Sequence, residues 1–198
     1  MKFVLATQNP KKLKEMSAIL SDLGVEVVSE ADLGVKIEVE ETGETFAENS
    51  LLKAKAVMEA TKLTAIADHS GSCVDALNGG PGVYSARFGG EGLDDTGRYR
   101  LLLQMLHGQA DRRAHFHTTI TCAFPNGDVL QDDGEVEGTI AFAPMGENGF
   151  GYDPVFFVPD KRKTFAQLSA EEKAEISHRG KALRAFKETL KNYLAEHQ

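Results

Sequence analysis

Asp68-His69-Ser70-Gly71 places a carboxylate, an imidazole and a hydroxyl within four positions. These groups can bind a metal, move a proton and hydrogen-bond an anion. The short apolar run Ala65-Ile66-Ala67 precedes the cluster, which is therefore expected where a buried strand ends. Ligands of open α/β proteins collect at the carboxyl ends of strands. The glycines that follow, Gly79, Gly80, Gly82, Gly89 and Gly90, leave room for a ligand close to the backbone. A surface turn followed by a flexible loop is the competing reading, and this stretch alone does not decide between them.

A second group of donors follows a short β-branched and apolar run, Lys2 to Ala6, that reads as a buried first strand. Thr7, Gln8, Asn9, Pro10, Lys11 and Lys12 lead into Leu13, Met16, Ile19, Leu20 and Leu23 at helical spacing. Asn9 is suited to cap that helix, and Pro10 fits its first turn, where a missing N–H costs nothing. Free N–H groups, the positive end of the helix dipole and two lysines together suit a phosphate. The alternative is an ordinary capped helix with solvated lysines. The G-x-x-x-x-G-K-[ST] pattern is absent, so this is not a Walker A loop.

Three further groups could take part. Glu38, Glu40, Glu41 and Glu44 precede Thr45-Phe46-Ala47-Glu48, a capping box expected to open a helix that runs to about Thr61. They read as a solvated helix approach or as the source of one carboxylate for Mg²⁺. In Gly146 to Asp153, GENGFGYD, an aromatic ring among glycines can cover a flat base. Phe150 suits that role, and Tyr152 suits the core. Lys173, Ser177, His178 and Arg179 supply polar donors near the start of a C-terminal amphipathic helix marked by Leu183, Phe186, Leu190 and Leu194. His115 and His117 share a strand face, for which a solvent-facing reading is preferred to a metal site.

These residues need a scaffold of alternating strands and helices. Val25 to Val28 is expected as a second strand and Asp94 to Leu106 as a helix. His115 to Phe124 and Val129 to Phe142 should form a long hairpin around the turn Pro125-Asn126-Gly127-Asp128. Phe116, Ile120, Cys122 and Phe124 would lie on one face of the first strand, with Val136, Ile140 and Phe142 in register on the second. The 198 residues suffice for a substantial core, and 41% hydrophobic with 26% charged residues is ordinary for a globular chain. A formal charge of −8 argues against general affinity for nucleic acid or an anionic membrane. The opening residues are too short an apolar run for a signal peptide, and no run reaches membrane-span length. With only Cys73 and Cys122, far apart and without metal-binding or redox spacing, the expectation is a cytoplasmic protein. No internal repeat or linker marks a second independent domain.

The order of the motifs is more specific than any one of them. ATQN-x-x-K, EETGETFAENSLLKA, AD-x-SG with VDALNGGPGVYSARF, GFGYDPVF and EEKAEISHRGKAL together resemble the non-canonical purine nucleoside triphosphate pyrophosphatases, also called inosine/xanthosine triphosphate pyrophosphatases. The resemblance runs from about Phe3 to Leu194. It implies an α/β fold: an elongated mixed β-sheet with flanking helices, in a single domain of two lobes around a nucleotide-binding cleft. It also implies a homodimer, one or more Mg²⁺ ions per subunit, and hydrolysis of dITP, ITP or XTP to the monophosphate and pyrophosphate, which cleanses the nucleotide pool. Carried over by motif, Thr7, Gln8, Asn9, Pro10, Lys11 and Lys12 hold the triphosphate and Ser70 contacts substrate. Phe150, Gly151, Tyr152 and Asp153 orient the base, while Lys173, His178 and Arg179 complete the pocket. Asp68 and His69 occupy the catalytic positions, and Glu41, Asp68 and His69 the metal positions. Donors from His178 and Arg179 suit the 6-oxo group of hypoxanthine and xanthine, and adenine's 6-amino group would leave them unpaired.

The sequence departs from the family at one position. The usual strand motif is Asp-Asp-Ser-Gly, and its second aspartate is here His69. Imidazole is a softer ligand than Mg²⁺ prefers, yet it can act as a general base near neutral pH. Besides an active enzyme, the substitution leaves open a catalytically impaired nucleotide-binding variant or a regulatory protein of the same fold.

Overall fold

A computed structural model describes residues 1–197. Eight strands form one mixed sheet, β1 (Lys2–Leu5), β2 (Glu26–Ser29), β3 (Thr64–Val74), β4 (Gly80–Pro81), β5 (Arg113–Ala123), β6 (Val129–Ile140), β7 (Phe156–Val158) and β8 (Lys163–Thr164). Their order is β2-β1-β3-β5-β6-β7-β8, with β4 paired to β3. β1 pairs in parallel with β2 and β3, whereas β3 with β4, β6 with β7 and β7 with β8 are antiparallel. The flanking helices are α1 (Pro10–Leu20), α2 (Phe46–Thr61), α3 (Asp95–Met105), α4 (Ala170–Ile176) and α5 (His178–Glu196). No helix among the described residues is long and apolar enough to cross a membrane.

Two compact units divide the chain. The first comprises Met1–His69, Thr118–Gly134 and the chain from Ala182 on. In its core Phe3, Leu5, Met16, Leu20, Ile66 and Ile120 pack with Leu183, Phe186 and Leu190 of α5. Full burial of each such side chain contributes about 1.5–3 kcal/mol. Phe3 meets Phe124 edge to face at 6.1 Å, a favoured aromatic geometry. The second unit comprises Ser70–His117 and Glu135–Lys181. There Phe116 stacks on Phe156 at 4.1 Å, and Leu102, Leu106, Val155 and Phe165 are buried around them. Arg112, which is buried, clamps this unit by donating to the carbonyls of Leu106, Ile140 and Ala141.

Local signals in the sequence explain most boundaries. Asn9 caps α1 by accepting from the Lys11 N–H, with Pro10 in the first turn. Asp94 caps α3, and Ser169 with Glu172 forms a reciprocal capping box at α4. The β5–β6 turn is closed by the Phe124 N–H donating to the Asp128 carbonyl.

Three expectations are corrected and one open alternative, the flexible loop, is decided. β3 does not end at the Asp68 cluster but runs through it to Val74. Its neighbour β1 stops at Leu5, opposite Ile66, so Asp68 lies past the end of the adjacent strand and well inside its own. The glycine-rich stretch that follows is ordered: Gly80-Pro81 pairs back onto Cys73-Val74, and Gly82–Arg87 forms a 3-10 helix. Thr45 caps α2, but the Glu48 carboxylate accepts from the Glu44 N–H, so the box is not reciprocal. Finally, Phe142 lies beyond β6 and is 83% exposed.

Candidate active site

In the first unit the sheet sets one group of side chains where β1 ends. Thr7 Oγ1 accepts from the Asn9 N–H, and Asn9 Oδ1 from the Lys11 N–H, so the turn into α1 is shaped by its own side chains. Gln8 donates to Glu30, a buried carboxylate that nothing in the sequence singled out. Pro10 and Lys11 are exposed at the helix start. Lys12, in the first turn of α1, reaches Asp68 Oδ2 at 3.0 Å. This pair joins the predicted phosphate loop to the predicted catalytic carboxylate.

Adjacent on β3, His69 is 9% exposed. Its Nδ1 lies 2.7 Å from Glu41 Oε2, and the Phe46 ring stands 5.8 Å from the imidazole, centroid to centroid. Among the four glutamates of that approach, Glu38, Glu40 and Glu44 are exposed, while Glu41 is partly buried against the histidine. Its path is set by Asn49 in the first turn of α2, whose side chain accepts from the Gly43 N–H and donates to the Gly43 carbonyl.

Asp68 and Glu41 are hard oxygen donors, the type Mg²⁺ takes, and that ion is usually held by one or two carboxylates together with substrate phosphates. The donor set therefore fits a divalent ion in kind. Among the described residues no cluster of three or more His, Cys, Asp or Glu side chains is gathered that could hold a metal by itself. His117, considered above as a ligand, is instead within 3.2 Å of Glu135.

The second unit holds the aromatic loop. Gly149 and Gly151 have left-handed backbone, with φ of 74° and 60°, on either side of Phe150, which is 50% exposed. Asp153 Oδ2 accepts from the Phe150 N–H and from Lys173 Nζ at 2.6 Å. Burial raises the Asp153 carboxyl above the ordinary range, against the opposing pull of Lys173. The Lys173 ammonium also stands 4.7 Å from the Phe150 ring centroid. Tyr152 belongs to the core and donates its hydroxyl to the Ser85 carbonyl. The loop is thus one exposed ring on a fixed base.

Lys173 lies on α4, and Ser177 separates it from His178 and Arg179 in the first turn of α5. The expected single helix start is therefore two helices. Ser177 breaks them with extended backbone, and its Oγ accepts from the Gly180 N–H. The His178 ring packs against Phe116 at 4.9 Å. Ser70 is partly buried on β3, and Ser72, two positions along, has a buried hydroxyl without a hydrogen-bond partner. Asp95 was also missed: its Oδ2 accepts from the Gly151 N–H at 2.9 Å. A second acidic residue at a helix start is a common pattern and singles out no site. A separate cavity of about 670 Å³ in this unit is lined by Arg112, Ile140, Phe142 and Met145 among others, and by none of the residues above.

Similarity to known proteins extends over nearly the whole chain. A model of the Ham1 family matches residues 3–189. The dITP/XTP pyrophosphatase of Desulforamulus reducens is 50% identical over 200 residues, spanning 100% of this chain and 99% of the relative. That of Bacillus subtilis is 46% identical over 189 residues, covering 94% of this chain and 96% of the relative. The Staphylococcus aureus Ham1 protein superposes with a TM-score of 0.91 at 42% identity, over 98% of this chain and all of that one.

Proposed function

The chain belongs to the Ham1 family, and from that membership we propose that it hydrolyses dITP and XTP, with ITP as a further substrate, to the monophosphate and pyrophosphate. The observation that carries the mechanism is the Glu41–His69 contact on the strand that also bears Asp68. With Nδ1–H donated to Glu41, the lone pair lies on Nε2, the tautomer a general base requires. Water attacks the α-phosphorus, the bond to the bridging oxygen of the β-phosphate breaks, and His69 takes the proton. Glu41 holds the ring and stabilises the imidazolium that forms.

Thr7, Gln8, Asn9, Pro10, Lys11 and Lys12 bind the phosphates, with Lys12 exchanging Asp68 for phosphate oxygens. Asp68 and Glu41 would hold Mg²⁺, which when bound would supply charge neutralisation at the phosphates. Ser70 contacts substrate. Phe150 packs on the purine, with Gly151, Tyr152 and Asp153 fixing its orientation. Lys173, His178 and Arg179 donate to the nucleotide, the last two to the 6-oxo group that adenine lacks.

The reading extends to a homodimer in the cytoplasm that removes non-canonical purines from the nucleotide pool. The impaired or regulatory alternative raised by His69 finds no support, since relatives matched over nearly the full length carry the pyrophosphatase name. Pyrophosphate release should be measured with dITP, XTP, dATP and dGTP in the presence of Mg²⁺. The expected result is turnover of dITP and XTP well above dATP and dGTP. No release from dITP, or equal rates with dATP, would sink the proposal.

A further inference from the structure

We propose that Asp95 is a positioning residue for base recognition, acting through Phe150. This rests on the reading that Phe150 packs on the purine. Glycines with left-handed backbone flank Phe150 on both sides, so the local chain has no intrinsic preference that would hold the ring in one place. The two peptide N–H groups that bracket it, those of Phe150 and Gly151, are each bound by a carboxylate. Asp153, from within the loop, takes the first at 3.1 Å, and Asp95, from the first turn of α3, takes the second at 2.9 Å. Together they fix the peptide plane on each side of residue 150.

Asp95 is free for this task because α3 does not need it. The helix is capped by the neighbouring Asp94, whose Oδ1 accepts from the Gly97 N–H. The Asp95–Gly151 bond lies at the surface, where a hydrogen bond adds little to stability. Its consequence is conformational: without it Gly151 is released and the ring loses its second anchor. The negative charge of Asp95 also acts on the two residues after Gly151, opposing ionisation of Tyr152 and Asp153.

The test compares Asp95→Ala and Asp95→Asn in the full chain. Base stacking on an aromatic side chain is worth about 5- to 150-fold in affinity, so Asp95→Ala should raise KM for dITP by about tenfold and change kcat by about twofold or less. Asn keeps an acceptor oxygen and should restore KM. Inhibition by inorganic tripolyphosphate, which has no base, should be the same in all three proteins. In a Phe150→Ala background, Asp95→Ala should add nothing, because its effect passes through the missing ring. Additive effects in that background, a parallel loss of tripolyphosphate inhibition, or an Asn variant as impaired as Ala would each overturn the inference. If wild-type protein hydrolyses dITP and Phe150→Ala leaves KM unchanged, the assignment of Phe150 itself fails and takes the inference with it. An unchanged KM in Asp95→Ala alongside a raised KM in Phe150→Ala refutes Asp95 alone.

Discussion

Glu41 Oε2 lies 2.7 Å from His69 Nδ1, across 28 positions of chain. The carboxylate that the family resemblance assigns to a metal is here in contact with the imidazole that replaces an aspartate. On the mechanism proposed above, His69→Ala is expected to lower kcat by about 10²–10⁴-fold. Glu41→Gln should also lower kcat, since an amide oxygen orients the ring without stabilising its charged form. Single-turnover rates of dITP hydrolysis measure both, and a Glu41→Gln enzyme with unchanged kcat would remove Glu41 from the mechanism.

Placing aspartate at position 69 sets a second carboxylate beside Glu41. Like charges at that distance repel unless a cation lies between them. His69→Asp should therefore melt at a lower temperature without Mg²⁺ and gain more from added Mg²⁺ than the parent protein does. Thermal unfolding across a Mg²⁺ titration reads this directly, and parallel curves for the two proteins would contradict it.

The Lys12–Asp68 pair, 3.0 Å long, has side chains 24% and 7% exposed. Lys12→Met leaves the Asp68 carboxylate without that cation and should cost about 1–3 kcal/mol of stability. Lys12→Met with Asp68→Asn should recover part of it, because a neutral amide has less need of the ammonium. Denaturant unfolding of the two single variants and the double variant closes the cycle.

Gly149 is confined by its surroundings as well as its φ of 74°. A Cβ there would stand 2.0 Å from Asp153 Oδ2, the atom that binds both Phe150 and Lys173. Gly149→Ala is expected to raise KM for dITP and to lower stability by about 1–3 kcal/mol. Activity and melting measurements on the same preparation check both, and unchanged values in each would show that the loop tolerates displacement of Asp153.

Asp132 on β6 accepts from the Thr189 hydroxyl through one oxygen, while the other is buried without a partner. Burial raises its carboxyl above the ordinary value, more than the Thr189 bond lowers it, and Asp133 adds to the rise. Between the ordinary and the raised value the folded protein holds a proton that the unfolded chain has released, so stability falls as pH rises through that window. Asp132→Asn removes this loss. The variant should be more stable than the parent near neutral pH, with the difference shrinking as the medium is acidified. Melting curves from about pH 4 to about pH 8 test the sign.

Much of this protein is legible in its residues alone. The caps at Asn9 and Thr45, the turn at residues 125–128 and the apolar spacing of α1 and α5 rest on interactions within a few positions. Such interactions are written in local sequence, as are the motifs that mark the family. The path of β3 through Asp68 was not legible, because a strand continues where a neighbour pairs with it, and an apolar run of three residues does not reveal how far β5 extends alongside. Nor was the break at Ser177, since the apolar positions of α4 and α5 follow one another without a glycine or proline at the junction.

The sequence by itself determined which chemical groups are present and which element carries each. The tertiary structure decided which groups face one another: Lys12 with Asp68, Glu41 with His69, Lys173 with Asp153, and Asp95 with the Gly151 N–H. These partners lie between 20 and 56 residues apart. Local propensity acts over one or two helical turns, and only the sheet order and the path of the loops bring such distant groups within hydrogen-bond distance.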